Sequence, residues 1–445
     1  MKKLSSLLLL ATVSLSLGLM TGCTGDGKVH VKFWHTMGQS NQALLDRMIT
    51  DFNEIYPDVV IDHSAQGDYA ALHTKLLSAI PAGTMPNMAF CYPDHVADYL
   101  DINAVVNVED YLNDENLGYS SEDGALNDYI SSYWEEGQSY LTDGTYSVPF
   151  AKSTEVLFYN KDFFDENSSL ISVPTTWEEM WNTCQIIKEQ IMTQAKYSTM
   201  LYPMAYDSDS NLFITMCEQR GIDYTTNDAT GSGHIVFNND QAKSLISELV
   251  GYYDDGYFAT KGVIPNSAYS STYFTEGKIV MSIGSTGGTS YQTSSNFGVG
   301  VVPCPVTSSE GNGNKYISQG PSICFFKKGT TAQKEAAWNF YKFITRSLNT
   351  AAYGVLTGYE PVRTSAYELP SYQSYLSTDV LQAKVSACTS TLEGRYFNSP
   401  VFYGSATARD VVGEIFANVA LGTKTLDGAF ADAYVTATAA CKTGE

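Results

Sequence analysis

The residues best able to do chemistry in this 445-residue chain are its acids, hydroxyls and phenols, and their spacing argues against most reactions. Asp207, Asp209, Asn211 and Glu218 fall at the first, third, fifth and twelfth positions of a calcium-binding loop. The sixth position, where the sharp turn needs glycine, is Leu212, and Leu212-Phe213-Ile214 reads as the start of a buried element. Gly284-Ser285-Thr286-Gly287 is not the Gly-x-Ser-x-Gly elbow that exposes a nucleophile, because Ser285 directly follows the first glycine. The six histidines form neither His-Glu-x-x-His nor a cluster. Besides Cys23 the cysteines are Cys91, Cys184, Cys217, Cys304, Cys324, Cys388 and Cys441, an odd number with no Cys-x-x-Cys. That spacing argues against a zinc site and a dense disulfide framework, and most of these thiols are expected to be small buried apolar groups. A carboxylate pair for glycoside hydrolysis is assembled in space, so the 48 acids leave that reaction open. The expectation is no catalytic residue, no cofactor and no metal.

Composition narrows the partners. With 26 Lys and Arg against 48 Asp and Glu, the net charge of −22 repels polyanions and sets nucleic acid aside. An aromatic share of 13%, with 31 Tyr and only 5 Trp, supplies rings that combine an apolar face with a hydroxyl, as polar small molecules and carbohydrates require. The length exceeds what one compact core usually holds, so two domains are expected.

Met1-Lys2-Lys3 followed by an apolar stretch to Leu19 has the form of an export signal. It ends in Leu19-Met20-Thr21-Gly22-Cys23, which resembles a bacterial lipobox, cleaved before a cysteine that takes a lipid. Residues 1–22 are therefore expected to be a signal peptide, Cys23 the lipidation site and 23–28 a tether. No other segment is apolar for long enough to span a bilayer. The expected location is a lipoprotein anchored to the bacterial cell envelope membrane and facing the periplasm or the cell exterior.

The elements that would position a site follow from periodicity. Val29 to Trp34 alternates as a strand, and Leu44, Leu45, Met48, Ile49, Phe52 and Ile55 fall on one helical stripe ended by Pro57. Strands at Val59 to Ile61 and Met88 to Cys91, with a helix from Tyr69 to Ile80 between them, complete a β-α-β-α-β run and predict a parallel sheet. Thr142-Asp143-Gly144-Thr145 is a hairpin signal between Tyr140-Leu141 and Tyr146 to Val148. Glu155 to Tyr159, Lys278 to Ile283, Gly298 to Val302 and Ser318 to Phe326 read as strands. Val173 to Glu179 opens a helix with a Thr cap and an acidic first turn. Two strong helices carry Ala336, Ala337, Phe340, Phe343 and Ile344, and Val412, Ile415, Phe416 and Val419. The polar stretch Thr307 to Asn314 reads as a loop near a lobe junction. The fold class is α/β.

Phe33-Trp34-His35-Thr36-Met37, Phe52-Asn53-Glu54-Ile55-Tyr56-Pro57, Gly67-Asp68-Tyr69, Pro149-Phe150 with Ser153-Thr154, and Leu157 to Asp162 together resemble the family 1 extracellular solute-binding proteins of ABC transporters. The likeness continues through Pro174 to Trp177, Phe274 to Lys278, Gly298-Val299-Gly300 and Thr357 to Val362. Within the family it is closest in pattern to glycerol-3-phosphate and glycerophosphodiester binders, and more distant from maltose-type binders. The resemblance implies a two-lobed periplasmic-binding-protein fold of discontinuous lobes, residues 29–148 plus 321–363 and 149–320 plus 364–445, with a hinge and a ligand cleft. It implies a monomer that captures a carbohydrate or polyol and delivers it to the permease subunits of an ABC importer. The alternatives are glycerol-3-phosphate or glycerophosphodiester binding and, in another class, an exported glycan hydrolase or a surface adhesin.

The same resemblance carries Tyr69, Ser153, Ser285, Gly320 and Tyr359 over as ligand contacts, with Trp34, His35 and Tyr206 as further cleft candidates by position. Two positions depart from the phosphate-ester pattern. Pro93, with Asp94 beside it, replaces an acid after the third strand, and Phe402 before Gly404 replaces an arginine. Loss of that guanidinium removes the natural bidentate partner of a phosphate, and the Phe402 ring suits a neutral sugar better. Arg395 and Arg409 stand close enough in sequence for a shifted alignment to restore it.

Overall fold

The computed structural model describes residues 25–228 and 232–441. The leader 1–22 and Cys23 lie outside the described residues. Val29–His35 turns Val31, Phe33 and His35 inward and pairs in parallel with Val59–Ala65 and Met88–Cys91. The connecting helices form as their patterns dictate. Gln39–Ile55 buries Leu45, Met48 and Phe52, and Tyr69–Ala82 is capped by the Asp68 carboxylate, which accepts the Ala71 N–H at 2.9 Å. Ser322–Phe325 returns antiparallel beside Met88–Cys91, and Val148–Pro149 closes this five-stranded sheet. Trp338, Phe340 and Tyr341 of helix Thr331–Ile344 fill its core against Phe33, Phe52 and Phe325.

The second sheet runs in the order Val299–Pro303, Glu155–Asn160, Met281–Ser285, Met204–Tyr206, Phe258–Thr260. Glu155–Asn160 is antiparallel to both its neighbours, whereas the last three strands are parallel to one another. Thr176 and Glu179 form a reciprocal capping box at helix Trp177–Ile186, which realises the Thr cap and acidic turn read from sequence. Helices Asp209–Arg220, Ser405–Ala420 and Leu426–Ala440 pack on this second core.

Three chain segments run between the two sheets and are stitched to one another. Lys152 and Glu360 exchange both backbone hydrogen bonds, at 3.2 and 2.7 Å, and Ser153 and Gln319 do the same at 2.9 and 2.8 Å. Gly320 makes the crossing possible. Its φ is +95°, and a Cβ there would lie 2.3 Å from the Ala151 carbonyl oxygen.

Two local expectations change. Tyr140-Leu141 and Tyr146 to Val148 do not form a hairpin: Val148 pairs with Ile323, and the Tyr146 N–H bonds to Gly137. Residues 307–314 pack on the second lobe, where Thr307 Oγ1 donates to the Gln219 carbonyl, and not at a junction. Asp209 begins a helix and accepts from the Thr260 hydroxyl and the Gly262 N–H, and Leu212-Phe213-Ile214 is buried as its sequence indicated. All seven described cysteines are free, and five of them are buried. Residues 364–376 form two short helices whose Ala366 and Tyr372 pack on Ala351, so the chain stays beside the first lobe before Leu381–Thr389 reaches the second.

Burial also sets a pH dependence. It lowers His35 and His95 to about 4, with the neighbouring His63 adding to the effect at His35. In the unfolded chain both titrate near the ordinary value of 6.5, so between pH 6.5 and about 4 the unfolded chain binds more protons and stability falls as pH falls. The melting temperature is expected to drop over this window by several degrees more than in a His35→Asn/His95→Gln variant. Parallel curves would refute it.

Candidate functional site

The space between the lobes contains a recess that opens to solvent. The first lobe contributes Tyr92, Pro93 and Asp94, the last two opening helix Pro93–Asp101. The crossing segment contributes Ile317, Ser318 and Gln319, and the second lobe Asn398, Ser399, Val401 and Arg409. The Arg409 guanidinium lies 6.0 Å from the Tyr92 ring centre and donates to the Asn211 amide oxygen. Burial opposes its charge, whereas Asp94 supports it first among its neighbours. The recess therefore sets one guanidinium from the second lobe against one carboxylate from the first. Beside it the lobes touch directly, where Asp98 Oδ1 accepts the Gly404 N–H at 2.9 Å.

None of the expected residues lines the recess, but five of them adjoin its lining or one another. Tyr69 stacks on Tyr92 with ring centres 4.1 Å apart, and Tyr359 acts on both phenols, all three being pushed up chiefly by burial. Ser285 Oγ is 3.3 Å from Ser153 Oγ, which ties the second sheet to the first crossing strand. Gly320 sits at that crossing, and Tyr359 lies against Gly287, where a Cβ would come within 2.4 Å of the ring.

The other four stand elsewhere. His35 is buried in the first lobe: its Nδ1 accepts the Met37 N–H at 3.2 Å, so Nε2–H donates to His63 Nδ1 at 2.9 Å, and His63 in turn meets Asp46 at 2.8 Å. Trp34 is half-buried beneath Lys75 Nζ, 5.1 Å from its ring centre. Tyr206 is buried in the second lobe and donates its hydroxyl to Glu155 Oε2. Phe402 packs on Gly233, so close that a Cβ on the glycine would lie 1.9 Å from the ring. It is Arg409, one of the two nearby arginines, that reaches the recess. Arg395 is held 4.7 Å over Tyr316 and donates to its hydroxyl.

Sequence reasoning missed Tyr92, Ser318, Asn398 and Ser399, and none of them stands in a motif. Asp94 and Arg409 had a signal, each lying beside a departure from the expected pattern.

The described residues contain no helix long and apolar enough to cross a membrane and no group of three or more His, Cys, Asp or Glu able to hold a metal ion. Comparison with known proteins matches this architecture. The chain is 25% identical to the sn-glycerol-3-phosphate-binding periplasmic protein UgpB of Pectobacterium atrosepticum over 78% of this chain and 76% of that protein. Its fold is similar to that of a substrate-binding protein of an ABC transporter from Listeria monocytogenes in complex with cycloalternan (TM-score 0.76, 16% identity, 93% of this chain and 98% of the other). It is similar also to UgpB from Mycobacterium tuberculosis in complex with glycerophosphocholine (TM-score 0.75, 18% identity, 93% and 98%). These are two-lobed binding proteins, and the profile of the bacterial extracellular solute-binding proteins matches residues 47–378. A chain with two stitched lobes, a recess between them and that match belongs to the bacterial extracellular solute-binding protein family.

Proposed function

We propose that the chain is the substrate-binding component of an ABC importer and that it captures a neutral carbohydrate or polyol between its lobes, releasing it unchanged to the permease. The observation that carries this reading is the opposition of Arg409 and Asp94 across the recess. A guanidinium donates only and a carboxylate accepts only, and a hydroxyl-rich ligand satisfies both without adding charge. The Tyr69–Tyr92 stack would supply an apolar wall for sugar carbons, and the paired Ser153 and Ser285 hydroxyls and Tyr359 stand nearby as further candidate contacts. The lobes are then 29–148 plus 321–363 and 149–320 plus 364–445, except that 364–376 stays packed against Ala351 of the first, and hinge closure presents the loaded form to the permease. Cys23 would carry the lipid that tethers the exported chain to the cell-envelope membrane.

A phosphate ester is the second reading, favoured by the position of Arg409 in the recess and by the glycerol-3-phosphate-binding relative. Asp94 and the overall charge of −22 weigh against a dianion. A thermal-shift panel of mono- and disaccharides, polyols, glycerol-3-phosphate and glycerophosphodiesters separates the two. Saturating ligand at a hundred times Kd stabilises the fold by about 2.7 kcal/mol. The expected hit is a neutral sugar or polyol, recovered intact after long incubation. Shifts with the phosphate esters alone would reverse the order of the readings, and a hydrolysed sugar would make the chain an enzyme.

A further inference from the structure

Glu155 is buried, with 3% of its surface exposed, and opens the strand Glu155–Asn160 directly after the first crossing segment. Its Oε1 accepts Asn211 Nδ2–H at 2.8 Å, and its Oε2 accepts the Tyr206 hydroxyl. Because the Asn211 amide nitrogen is committed to the carboxylate, its oxygen is the atom that faces the guanidinium of Arg409. A continuous hydrogen-bonded chain, Tyr206–Glu155–Asn211–Arg409, therefore runs from the second core to the recess. The ionisable groups acting on Glu155 are Arg409 on helix Ser405–Ala420, Tyr206 on its strand, Asp207 just beyond it, and Cys304 after Val299–Pro303. Helix Asp209–Arg220 brings the amide of Asn211, and the adjacent strand Met281–Ser285 pairs Ser285 with Glu155; neither group titrates.

We propose that Glu155 is a positioning residue that sets the charge preference of the recess. Through Asn211 it fixes the Arg409 guanidinium, and its carboxylate adds to Asp94 in offsetting that charge. The inference rests on the recess being the ligand site. Ionised Glu155 favours a neutral ligand; protonated Glu155 leaves Arg409 less compensated and favours an anion. Burial is the main influence on this carboxyl and pushes it up to about 7, while the Tyr206 and Asn211 hydrogen bonds pull it down. The preference should slide towards anions as pH falls through neutrality.

The test is calorimetric titration of the full mature chain with matched probes whose own charge is constant between about pH 5.5 and 8.5: maltitol against maltobionate, and glucitol against gluconate. The neutral-to-anion affinity ratio is expected to fall about tenfold from the upper to the lower pH, the order of effect of one charge acting through an intervening side chain. In Glu155→Gln the ratio should stay at its low-pH value throughout. In Tyr206→Phe, which removes a donor to the ionised form, the midpoint should move to higher pH. A wild-type slope retained in Glu155→Gln, or an unmoved midpoint in Tyr206→Phe, overturns the positioning role while leaving the recess as the site. Undiminished binding in Arg409→Ala, or no binding of either probe pair to the wild type, overturns the recess reading and this inference with it.

Discussion

Replacing Arg409 by alanine is expected to weaken ligand binding by about 2–5 kcal/mol, roughly thirtyfold to several thousandfold in Kd, with little change in unfolding midpoint. The size follows from where the guanidinium lies. It spends one donor on Asn211 and leaves the rest for the recess, where Asp94 holds the opposite charge. Truncation removes those donors and also leaves Asp94 and Glu155 without their shared counter-charge, and Glu155 is then pushed further up because Arg409 is one of the groups holding it down. The fold should tolerate the change because the packing face of helix Ser405–Ala420 is made by Ala408, Val412, Ile415 and Phe416. Arg409→Lys keeps the charge but not the planar fork, and is expected to recover only part of the affinity. Isothermal titration with the best ligand from the panel measures both variants. An affinity for Arg409→Ala equal to that of the wild type would mean that the ligand sits outside the recess.

How far the sequence discloses this site depends on what places each residue. The β-α-β-α-β opening is legible because each step is local: Val31 and Phe33 alternate, and Leu45, Met48 and Phe52 recur at helical spacing; the Thr176 cap of a later helix is local too. Tyr69, Ser153, Ser285, Gly320 and Tyr359 come forward by resemblance alone, since each belongs to a short motif, and none of them lines the recess itself. Arg409 belongs to no motif. It sits one position from the packing stripe of its helix, and which flank of that stripe overlooks the recess is decided by contacts from 300 residues upstream, such as Asp98 to Gly404. Phe402 stands away from the recess lining for a related reason: its ring packs on Gly233, a contact that no spacing reveals. The Thr142–Thr145 turn signal failed because Val148 found a better partner in Ile323, a long-range strand pair that overrides a local turn preference.

The second large effect is expected at the hinge. Lys152 is 2% exposed on the first crossing segment, and its ammonium bonds at 2.5 Å to Oε2 of Glu136, itself 4% exposed in the first lobe. The other oxygen of Glu136 accepts the hydroxyl of Ser318 at 2.6 Å, on the second crossing segment. The third segment joins through Glu360, whose backbone pairs with Lys152 and whose carboxylate, pushed up by burial, accepts from Tyr133 and Tyr396. Lys152→Met removes the cation and strands the Glu136 charge in the interior, so the expected cost is about 3–5 kcal/mol in urea unfolding. The variant Lys152→Met/Glu136→Leu removes both charges, and because a buried pair gains little over a well-packed apolar one, it should recover most of that loss. Stability restored in the double variant should not restore binding. Ser318 lines the recess, and without Glu136 its hydroxyl loses the acceptor that orients it, so ligand affinity should remain below that of the wild type. If the double variant binds as the wild type does, the network holds the fold alone; if the single variant unfolds at the wild-type midpoint, the Glu136 charge is not confined by the hinge at all.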